Sequence, residues 1–485
     1  MASPFARSTS PEHPSSKPLS MMTKLAYGAG DLGPALTANV LVFFLLYFLT
    51  AVAGLSPGLA GWVLLIGKVG DAINDPIIGI LSDRTRSRWG RRYPWMMFGA
   101  IPFGIFFAMQ WWVPFQEEWP LFWYYLAIAT LFNLAYTAVT LPYAALTPQL
   151  TDDYNERTSL NTFRFTFSIG GSIASLILAQ QIFQRVADPI QRYLLLGGIC
   201  AILAVIPIYL CVRGTYDRVM PKERALLLNG ESSDDALEEL PLPQQIAIAL
   251  GNRPFQYVVG IYLCSWFAVQ LIGAIMPFFV VSWMGLPESD FPNVALAVQG
   301  TAIACLFLWE RLSKTIGKQG VYFIGTSLWL TAQLGLFFLQ PGQVGLMYAL
   351  CVLAGTGVST AYLIPWSMLP DVIDADELKT GQRREGVFYS FMVFLQKMGL
   401  AIALWLVGQL IEWAGYIKSD PGAIPPPQPE SALWAIRLVI APLPAIALIG
   451  GIILAYHYPI TAALHNEILL KLKARKEGST LESEG

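Results

Sequence analysis

Long apolar runs, interrupted by short polar or charged segments, occupy most of this chain. A run of about 17 residues or more is long enough to cross the hydrocarbon core of a bilayer as a helix. The sequence lacks the short alternating segments of a membrane barrel, so helices are the way in which these runs satisfy their backbone groups in lipid. We therefore predict an all-α membrane protein with twelve transmembrane helices, at about residues 24–53, 58–82, 95–115, 119–147, 161–183, 192–212, 254–283, 291–311, 320–339, 343–368, 386–413 and 433–457.

The amino-acid composition is also that of a membrane protein. Apolar residues make up 55% of the chain and charged residues 13%, against about 25% charged residues in soluble domains. The five cysteines all lie in apolar runs without a CxxC pair, which favours neither a disulfide framework nor a metal site. The sequence contains no catalytic motif, so we predict a protein that is not an enzyme, needs no cofactor and binds no nucleic acid.

Lysine and arginine are distributed unevenly between the two sets of loops. They are abundant in the tails and in the loops on the N-terminal side of the membrane, above all in 82–94, SDRTRSRWGRRYP, and sparse in the loops on the other side. Because cytoplasmic loops carry the excess of basic residues, we predict a multi-pass protein of the cell (inner or plasma) membrane with both termini in the cytoplasm.

One long polar loop divides the predicted helices into two sets of six. TLPYAALTPQL at the end of the fourth span resembles LIPWSMLPDVI at the end of the tenth, and six plus six helices with parallel repeats is the layout of the major facilitator fold. PLPQQIAIALGNRPF, after the loop's acidic core, is interpreted as a helix along the inner membrane surface, with a plain linker as the alternative. The predicted domains are a disordered cytoplasmic tail (1–22), a six-helix bundle (23–212), a cytoplasmic loop (213–253), a second six-helix bundle (254–457) and a cytoplasmic tail (458–485).

Two carboxylates interrupt the second predicted span, in the stretch KVGDAINDP. In a helix, Asp71, Asn74 and Asp75 share one face, and Lys68 lies one turn away. A charged side chain near the bilayer centre costs about 2.5 to 3.5 kcal/mol, so such a pair persists where it faces a cavity and gains a partner. The sequence favours a site for a cation or a proton, and a structural pair of Asp71 with Lys68 is the alternative.

Three stretches of this sequence resemble a known family: GDAINDPIIGILSDRTRSRWGRRYPW, KLAYGAGDLG and LAYTAVTLPYAALTP. They are similar to the glycoside-pentoside-hexuronide:cation symporters, and the resemblance covers nearly the whole chain. It implies a site for sodium, lithium or a proton made by Asp71, Asn74, Asp75 and Thr137. Carboxylate, amide and hydroxyl oxygens also suit a hard cation such as Na⁺ on chemical grounds.

The sugar-binding residues of that family are only partly present. Its two aspartates on the first and fourth helices correspond to Ala35 and Thr140, and its stacking tryptophan to Ala144. Asp31, one turn before Ala35, either supplies a missing carboxylate or pairs near the helix end. Arg164 and Lys397, on the fifth and eleventh spans, either pair with the aspartates of the second helix or bind an anionic group of the solute. The candidate solute-binding residues, which include those two cations, are Asp31, Tyr136, Thr140, Arg164, Tyr362, Trp366 and Lys397.

The loop between the second and third spans is similar to the cytoplasmic loop found there throughout the major facilitator superfamily. The resemblance implies that its charged residues form ion pairs which hold an inner gate in one state. The alternative is that these charges are solvated and reflect only the positive-inside rule. The candidate gating residues are Asp83, Arg84, Arg88, Arg91 and Arg92.

The resemblance implies a secondary active transporter that couples entry of Na⁺ or H⁺ to uptake of a small organic solute by alternating access. It indicates a sugar or glycoside as the solute. Because both sugar-binding aspartates are absent, a cation-coupled carrier of a lysolipid-like amphipathic solute is an alternative. A sensor or scaffold that keeps the fold without transport is a second alternative, which the two buried acids argue against.

Overall fold

The computed structural model describes residues 19–151, 153–228, 242–423 and 425–483, and the regular elements in these ranges are all helical. The first span is composite, with two α-helices followed by two π-helical turns, and the last is broken between Ile440 and Pro442. The spanning helices, in chain order, are Met21–Ala29 with Leu32–Val40, Leu41–Leu45 and Phe48–Val52; Pro57–Arg84; Tyr93–Met109; Glu118–Ala144; Tyr154–Arg185; Pro189–Leu228; Arg253–Phe278 with Phe279–Trp283; Phe291–Phe338, which contains two spans; Val344–Thr380; Glu385–Trp413; and Glu430–Ile440 with Pro442–Tyr456.

Twelve crossings account for these helices, as the sequence predicts. Within the described ranges, nine helices are long and apolar enough to cross a membrane by themselves. Tyr93–Met109 is apolar but shorter, and Pro57–Arg84 carries the charged stretch of the second span. Phe291–Phe338 divides into the eighth and ninth spans at Gly317, whose φ of 77° and ψ of 166° are not helical and suit glycine.

Several helices continue beyond the predicted spans. The sixth helix runs to Leu228. The central loop, which the apolar run predicts to begin at 213, therefore begins after residue 228. The first helix begins at Met21, inside the tail predicted to be disordered, and the predicted C-terminal tail contains the helix Ala462–Ser483. The length of an apolar run indicates only the part of a helix that crosses the membrane. Lysine, arginine and glutamate are good helix formers, so a helix that contains them can continue into water. The rest of the N-terminal tail (1–18) and the acidic core of the loop (229–241) lie outside the described residues.

The segment after the central loop forms the predicted helix, at Leu242–Gly251. Ala249 is buried, and Ile248 packs against the core of the second half. Its placement along a membrane surface stays a prediction.

The two halves, which are helices one to six and seven to twelve, meet along two seams. In one seam the second helix packs against the eleventh, and in the other the fifth packs against the eighth. The first seam is closely packed, because a Cβ at Gly408 would collide with the carbonyl oxygen of Pro57 and one at Gly61 would press on the backbone of Trp405. These glycines let the two backbones approach closely, as small residues do between membrane helices.

Polar contacts join the halves at one end of the molecule, which we call the closed end. Arg192 Nη1 lies 2.9 Å from Glu288 Oε2, and Lys418 Nζ lies 2.9 Å from Glu118 Oε1. At the start of the second helix, the N–H of Gly58 donates to the carboxylate of Glu412 on the eleventh. A carboxylate at a helix N-terminus is favourable because free N–H groups and the helix dipole face it.

Candidate ion and solute sites

The predicted carboxylate pair converges on a threonine of the fourth helix. Asp71 is 1% exposed and Thr137 is fully buried. Thr137 Oγ1 lies 2.9 Å from Asp71 Oδ1 and 3.1 Å from Asp75 Oδ1. One hydroxyl has one proton to donate, so it bonds one carboxylate at a time while its oxygen stays close to both.

Two lysines neutralise the pair. Lys397, on the eleventh helix, donates to Asp75 Oδ2 and lies 3.2 Å from Asp71 Oδ2. Lys68 Nζ lies 3.7 Å from the same Asp71 oxygen. The four side chains form what we call the charge cluster, two acids balanced by two bases, as the cost of burying charge requires. The sequence places Lys68 beside Asp71, whereas Lys397 reaches the site only through the fold.

Asn133 is a member of this site that the sequence does not single out. Its amide nitrogen donates to the carbonyl oxygens of Gly67, at 3.1 Å, and Ala129, at 2.9 Å. These bonds direct its Oδ1 toward Lys68, whose ammonium donates to it at 3.0 Å. A single amide inside an apolar span was the available signal, because such groups cross-link membrane helices.

Asn74 is the predicted cation ligand that remains apart. It is half-buried on the second helix and has no hydrogen bond to another side chain among the residues the structure describes. Of the predicted set, the structure therefore brings together Asp71, Asp75 and Thr137. The role of Asn74 stays a prediction.

Chemically, these three residues offer carboxylate and hydroxyl oxygens to one small volume. Such oxygens suit Na⁺, Li⁺ or a proton and disfavour soft metal ions. The ammonium of Lys397 is a monovalent cation that already sits against both carboxylates. A free cation entering the site would compete with it for the same oxygens.

A cavity of about 680 Å³ lies between the halves, on the side of the fifth and eighth helices. Its wall is mainly aliphatic and aromatic, with two amide and three hydroxyl side chains, and none of the described lining residues is charged. The second and eleventh helices, which carry the charge cluster, contribute nothing to this wall in the described chain. The lining residues that bear on its chemistry are Asn39, Ser168, Ser172, Gln299, Tyr362 and Trp366.

The candidate solute residues separate into groups. Tyr362 and Trp366 line the cavity. Lys397 belongs to the charge cluster instead. Tyr136 lies beside that cluster, with the ammonium of Lys68 6.0 Å from its ring centroid, and the hydroxyl of Thr140 donates to the Tyr136 carbonyl at 2.9 Å. The described residues that line the cavity do not include Lys397, Tyr136 or Thr140.

Arg164 and Asp31 pair with each other. Arg164 Nε lies 3.4 Å from Asp31 Oδ2, and its guanidinium stands 5.5 Å from the ring centroid of Tyr143. Asp31 precedes the helix Leu32–Val40 but its side chain makes no capping hydrogen bond. The ion pair joins the first and fifth helices within the first half, and pairing near the helix end is one of the two alternatives for Asp31. For Arg164, the partner is this aspartate of the first helix instead of Asp71 or Asp75 of the second.

The structure gives the following contacts and exposures for the candidate gating residues. Arg92 Nη2 lies 3.6 Å from Asp83 Oδ1, and Asp83 is largely exposed. The guanidinium of Arg88 stacks over the neighbouring Trp89, 4.4 Å from the ring centroid. Arg84 is exposed and Arg91 is half-buried. An exposed pair of this kind contributes about 0 to 1 kcal/mol, and the gating role stays a prediction.

Twelve helices in two halves, with a charge cluster and a cavity between them, define a secondary transporter of the major facilitator type. The model of the MFS/sugar transport protein family matches residues 26–462, so the chain belongs to that family. It is a transporter, not an enzyme. The xylose transporter XylE of Escherichia coli, in an inward-open conformation, shares the fold with a TM-score of 0.56 and 14% identity, over 91% of this chain and 96% of that one.

Curated relatives are named as symporters. An uncharacterized symporter of Synechocystis sp., sll1374, is 49% identical over 96% of this chain and 99% of its own length. The sodium-dependent lysophosphatidylcholine symporter 1-A of Danio rerio is 27% identical, over 96% and 91%. The putative glycoside/cation symporter YagG of Escherichia coli is 28% identical, over 92% and 93%. The predicted membership among symporters of the major facilitator fold is confirmed, and the solutes in these names differ.

Proposed function

We propose that this protein is a cation-coupled symporter in which the driving ion, Na⁺ or H⁺, replaces the ammonium of Lys397 at Asp71 and Asp75. The observation that carries the proposal is the ion pair across the seam: the acids belong to the first half and Lys397 to the second. A cation that takes over the carboxylates releases Lys397 and so removes an electrostatic tie between the halves. A proton would weaken the same tie by neutralising one of the two carboxylates that Lys397 contacts.

This exchange gives a physical basis for coupling. The close packing of the second and eleventh helices holds the seam together at Gly58 and Glu412, while the charge cluster lies further along the same two helices. Loss of the Lys397 tie therefore changes the relative free energies of two arrangements of the halves. A solute that prefers the same arrangement raises the affinity for the cation, and the cation raises the affinity for the solute by the same factor.

The predicted orientation assigns a direction to the cavity. Arg192 lies in the first turn of the sixth helix and Glu288 just before the eighth, at the end of the molecule where the positive-inside rule predicts the outside of the cell. With cytoplasmic termini, the closed end faces outward in the state described here, so we propose that the cavity opens toward the cytoplasmic side.

For the solute, we propose an amphipathic molecule with a large apolar part and a compact polar head. A cavity wall that is mainly aliphatic and aromatic, without a charged side chain among its described residues, supports this choice. The relative named as a lysophosphatidylcholine symporter is consistent with it. A sugar or glycoside remains the second candidate, because Tyr362 and Trp366 offer ring surfaces and the relative YagG is named as a glycoside/cation symporter.

Uptake into proteoliposomes tests the proposal. Lysophosphatidylcholine and a panel of sugars would be offered under an imposed Na⁺ or H⁺ gradient, with wild type, Asp75→Asn and the control Thr130→Ala. Among the residues that the structure describes, the Thr130 hydroxyl bonds only its own helix, at the Leu126 carbonyl. We expect gradient-driven uptake of the lysolipid that Asp75→Asn abolishes and Thr130→Ala retains. Uptake of a sugar alone would refute the amphipathic assignment, and uptake indifferent to both gradients would refute cation coupling.

A further inference from the structure

We propose that Asn39 and Gln299 form a second tie between the halves, which the polar head of the solute opens by binding Gln299. Asn39 lies on the first helix and Gln299 on the eighth. Gln299 Nε2 donates to Asn39 Oδ1 at 2.9 Å, and both side chains line the cavity. We call this bond the amide latch. This inference rests on the symport proposed above, and it assigns Gln299 as the residue that binds the polar head of the solute.

The two amides differ in how firmly they are held. The Nδ2 group of Asn39 donates to the Ser172 carbonyl at 3.1 Å and to Ser175 Oγ at 3.0 Å, both on the fifth helix. With Oδ1 accepting from Gln299, both N–H groups and the carbonyl oxygen of Asn39 are engaged. The first and fifth helices therefore fix the direction of its carbonyl.

Gln299 is the adaptable partner. The side chain of Gln299 lines the cavity, and its one hydrogen bond to another side chain in the described chain is the bond to Asn39, which leaves its Oε1 and second N–H without a side-chain partner there. In an apolar wall, an amide is the place where a polar group of the solute recovers the hydrogen bonds that it loses with water. A polar head with two acceptor oxygens, such as a phosphoryl group, accepts from both N–H groups of Gln299 Nε2, and so competes with Asn39 for the one that Asn39 Oδ1 accepts.

The amide latch and the Lys397 ion pair then have parallel roles on opposite seams. A cation replaces Lys397 at the carboxylates, and a solute head replaces Asn39 at Gln299. Each ligand removes one bond between the halves, so the rearrangement is favoured when both are present. This arrangement makes the affinities for ion and solute interdependent without any contact between the two sites.

Variants of Asn39 and Gln299 distinguish a role in binding the solute from a role that is only structural. Asn39→Ala removes the competitor and leaves Gln299 available, so we expect lysophosphatidylcholine to bind about three- to tenfold more tightly than to wild type, in line with one net hydrogen bond. Gln299→Met keeps side-chain length but cannot donate, so binding should weaken by a similar factor. The control is Thr301→Ala on the same helix, whose hydroxyl bonds only the Ala297 carbonyl at 2.8 Å. Binding would be measured by isothermal titration in nanodiscs, with thermal unfolding as the check on folding.

A measurement without solute tests the latch by itself. Spin labels at exposed positions 162 and 308, on the fifth and eighth helices, would report the separation of the halves in a background without native cysteines. We expect Asn39→Ala, Gln299→Met and the double variant to shift the distance distribution equally, because each breaks the same bond. Additive shifts, or none, would overturn the latch.

The outcomes distinguish this inference from the proposed function. If Asn39→Ala weakens lysolipid binding as much as Gln299→Met does, or if wild type does not bind the lysolipid, the solute does not open the latch as proposed. If the variants behave as expected but Na⁺ and pH leave lysolipid affinity unchanged, the latch stands and the cation coupling fails.

Discussion

The ammonium of Lys397 lies 3.2 Å from the Asp71 carboxylate, although the two residues belong to opposite halves of the molecule. With Asp75 and Lys68, they form a neutral cluster of four charged side chains. A neutral cluster in a membrane protein is stable without an added ion, whereas two unpaired carboxylates would require one. The protein therefore supplies a removable counterion of its own at the site where a driving ion would bind.

Replacing Lys397 should separate ion binding from coupling. In Lys397→Met the carboxylates lose their competitor, so we expect the apparent affinity for the driving cation to rise about tenfold, which corresponds to about 1.4 kcal/mol. Gradient-driven accumulation should be lost, because the tie between the halves no longer depends on the cation.

Cation titration of lysolipid binding and uptake in proteoliposomes measure the two effects. Lys314→Met is a matched control, because Lys314 forms only an exposed pair with Glu310 on its own helix. Unchanged cation affinity in Lys397→Met would contradict the replacement mechanism.

Thr137 should act through its hydroxyl oxygen. Thr137→Val keeps the shape of the side chain but removes the group that touches both carboxylates. We expect cation affinity to fall about tenfold, as for a lost hydrogen bond to a charged group, while Thr137→Ser retains wild-type affinity. The measurement is the cation concentration at half-maximal uptake, and equal effects of valine and serine would indicate a role in packing only.

The balance of charge makes a stability prediction. Asp71→Asn leaves two lysines facing one carboxylate, so we expect a loss of about 3 kcal/mol or more and a lower thermal unfolding temperature. Adding Lys68→Met restores the balance, and the double variant should regain most of that temperature without regaining cation dependence. If the double variant is less stable than Asp71→Asn, the cluster is not held by charge neutrality.

Gly58 should contribute to closure at the start of the second helix, because it leaves room for the Glu412 carboxylate beside its N–H. A Cβ at this position would collide with the carboxylate of Glu412, which accepts from the Gly58 N–H. We expect Gly58→Ala to open the closed end, measured as faster labelling of a cysteine introduced at Ser56. Gly79→Ala is the control on the same helix, since a Cβ there meets nothing within 4 Å. Equal labelling in the two variants would contradict this role.

Local pattern was sufficient for much of the architecture. Apolar length set the twelve crossings, because a helix must span a fixed hydrocarbon thickness. Helical periodicity placed Asp71 and Asp75 on one face, and burial cost marked them as a site. The resemblance to a symporter family added Thr137. Local pattern did not give helix ends such as Leu228, because a helix can continue in water after the apolar run ends.

Only the tertiary structure decided which distant side chains meet. Arg164 and Lys397 were equivalent in sequence, yet the fold pairs Arg164 with Asp31 and Lys397 with Asp75. The contact of Asn39 with Gln299 joins residues 260 positions apart. A periodic sequence reports which face of a helix is polar, but the partner of that face depends on how the two halves pack. The sequence by itself determined the helices and the acids of the proposed ion site, and the packing of the halves determined which lysine pairs with them and that Asn39 meets Gln299.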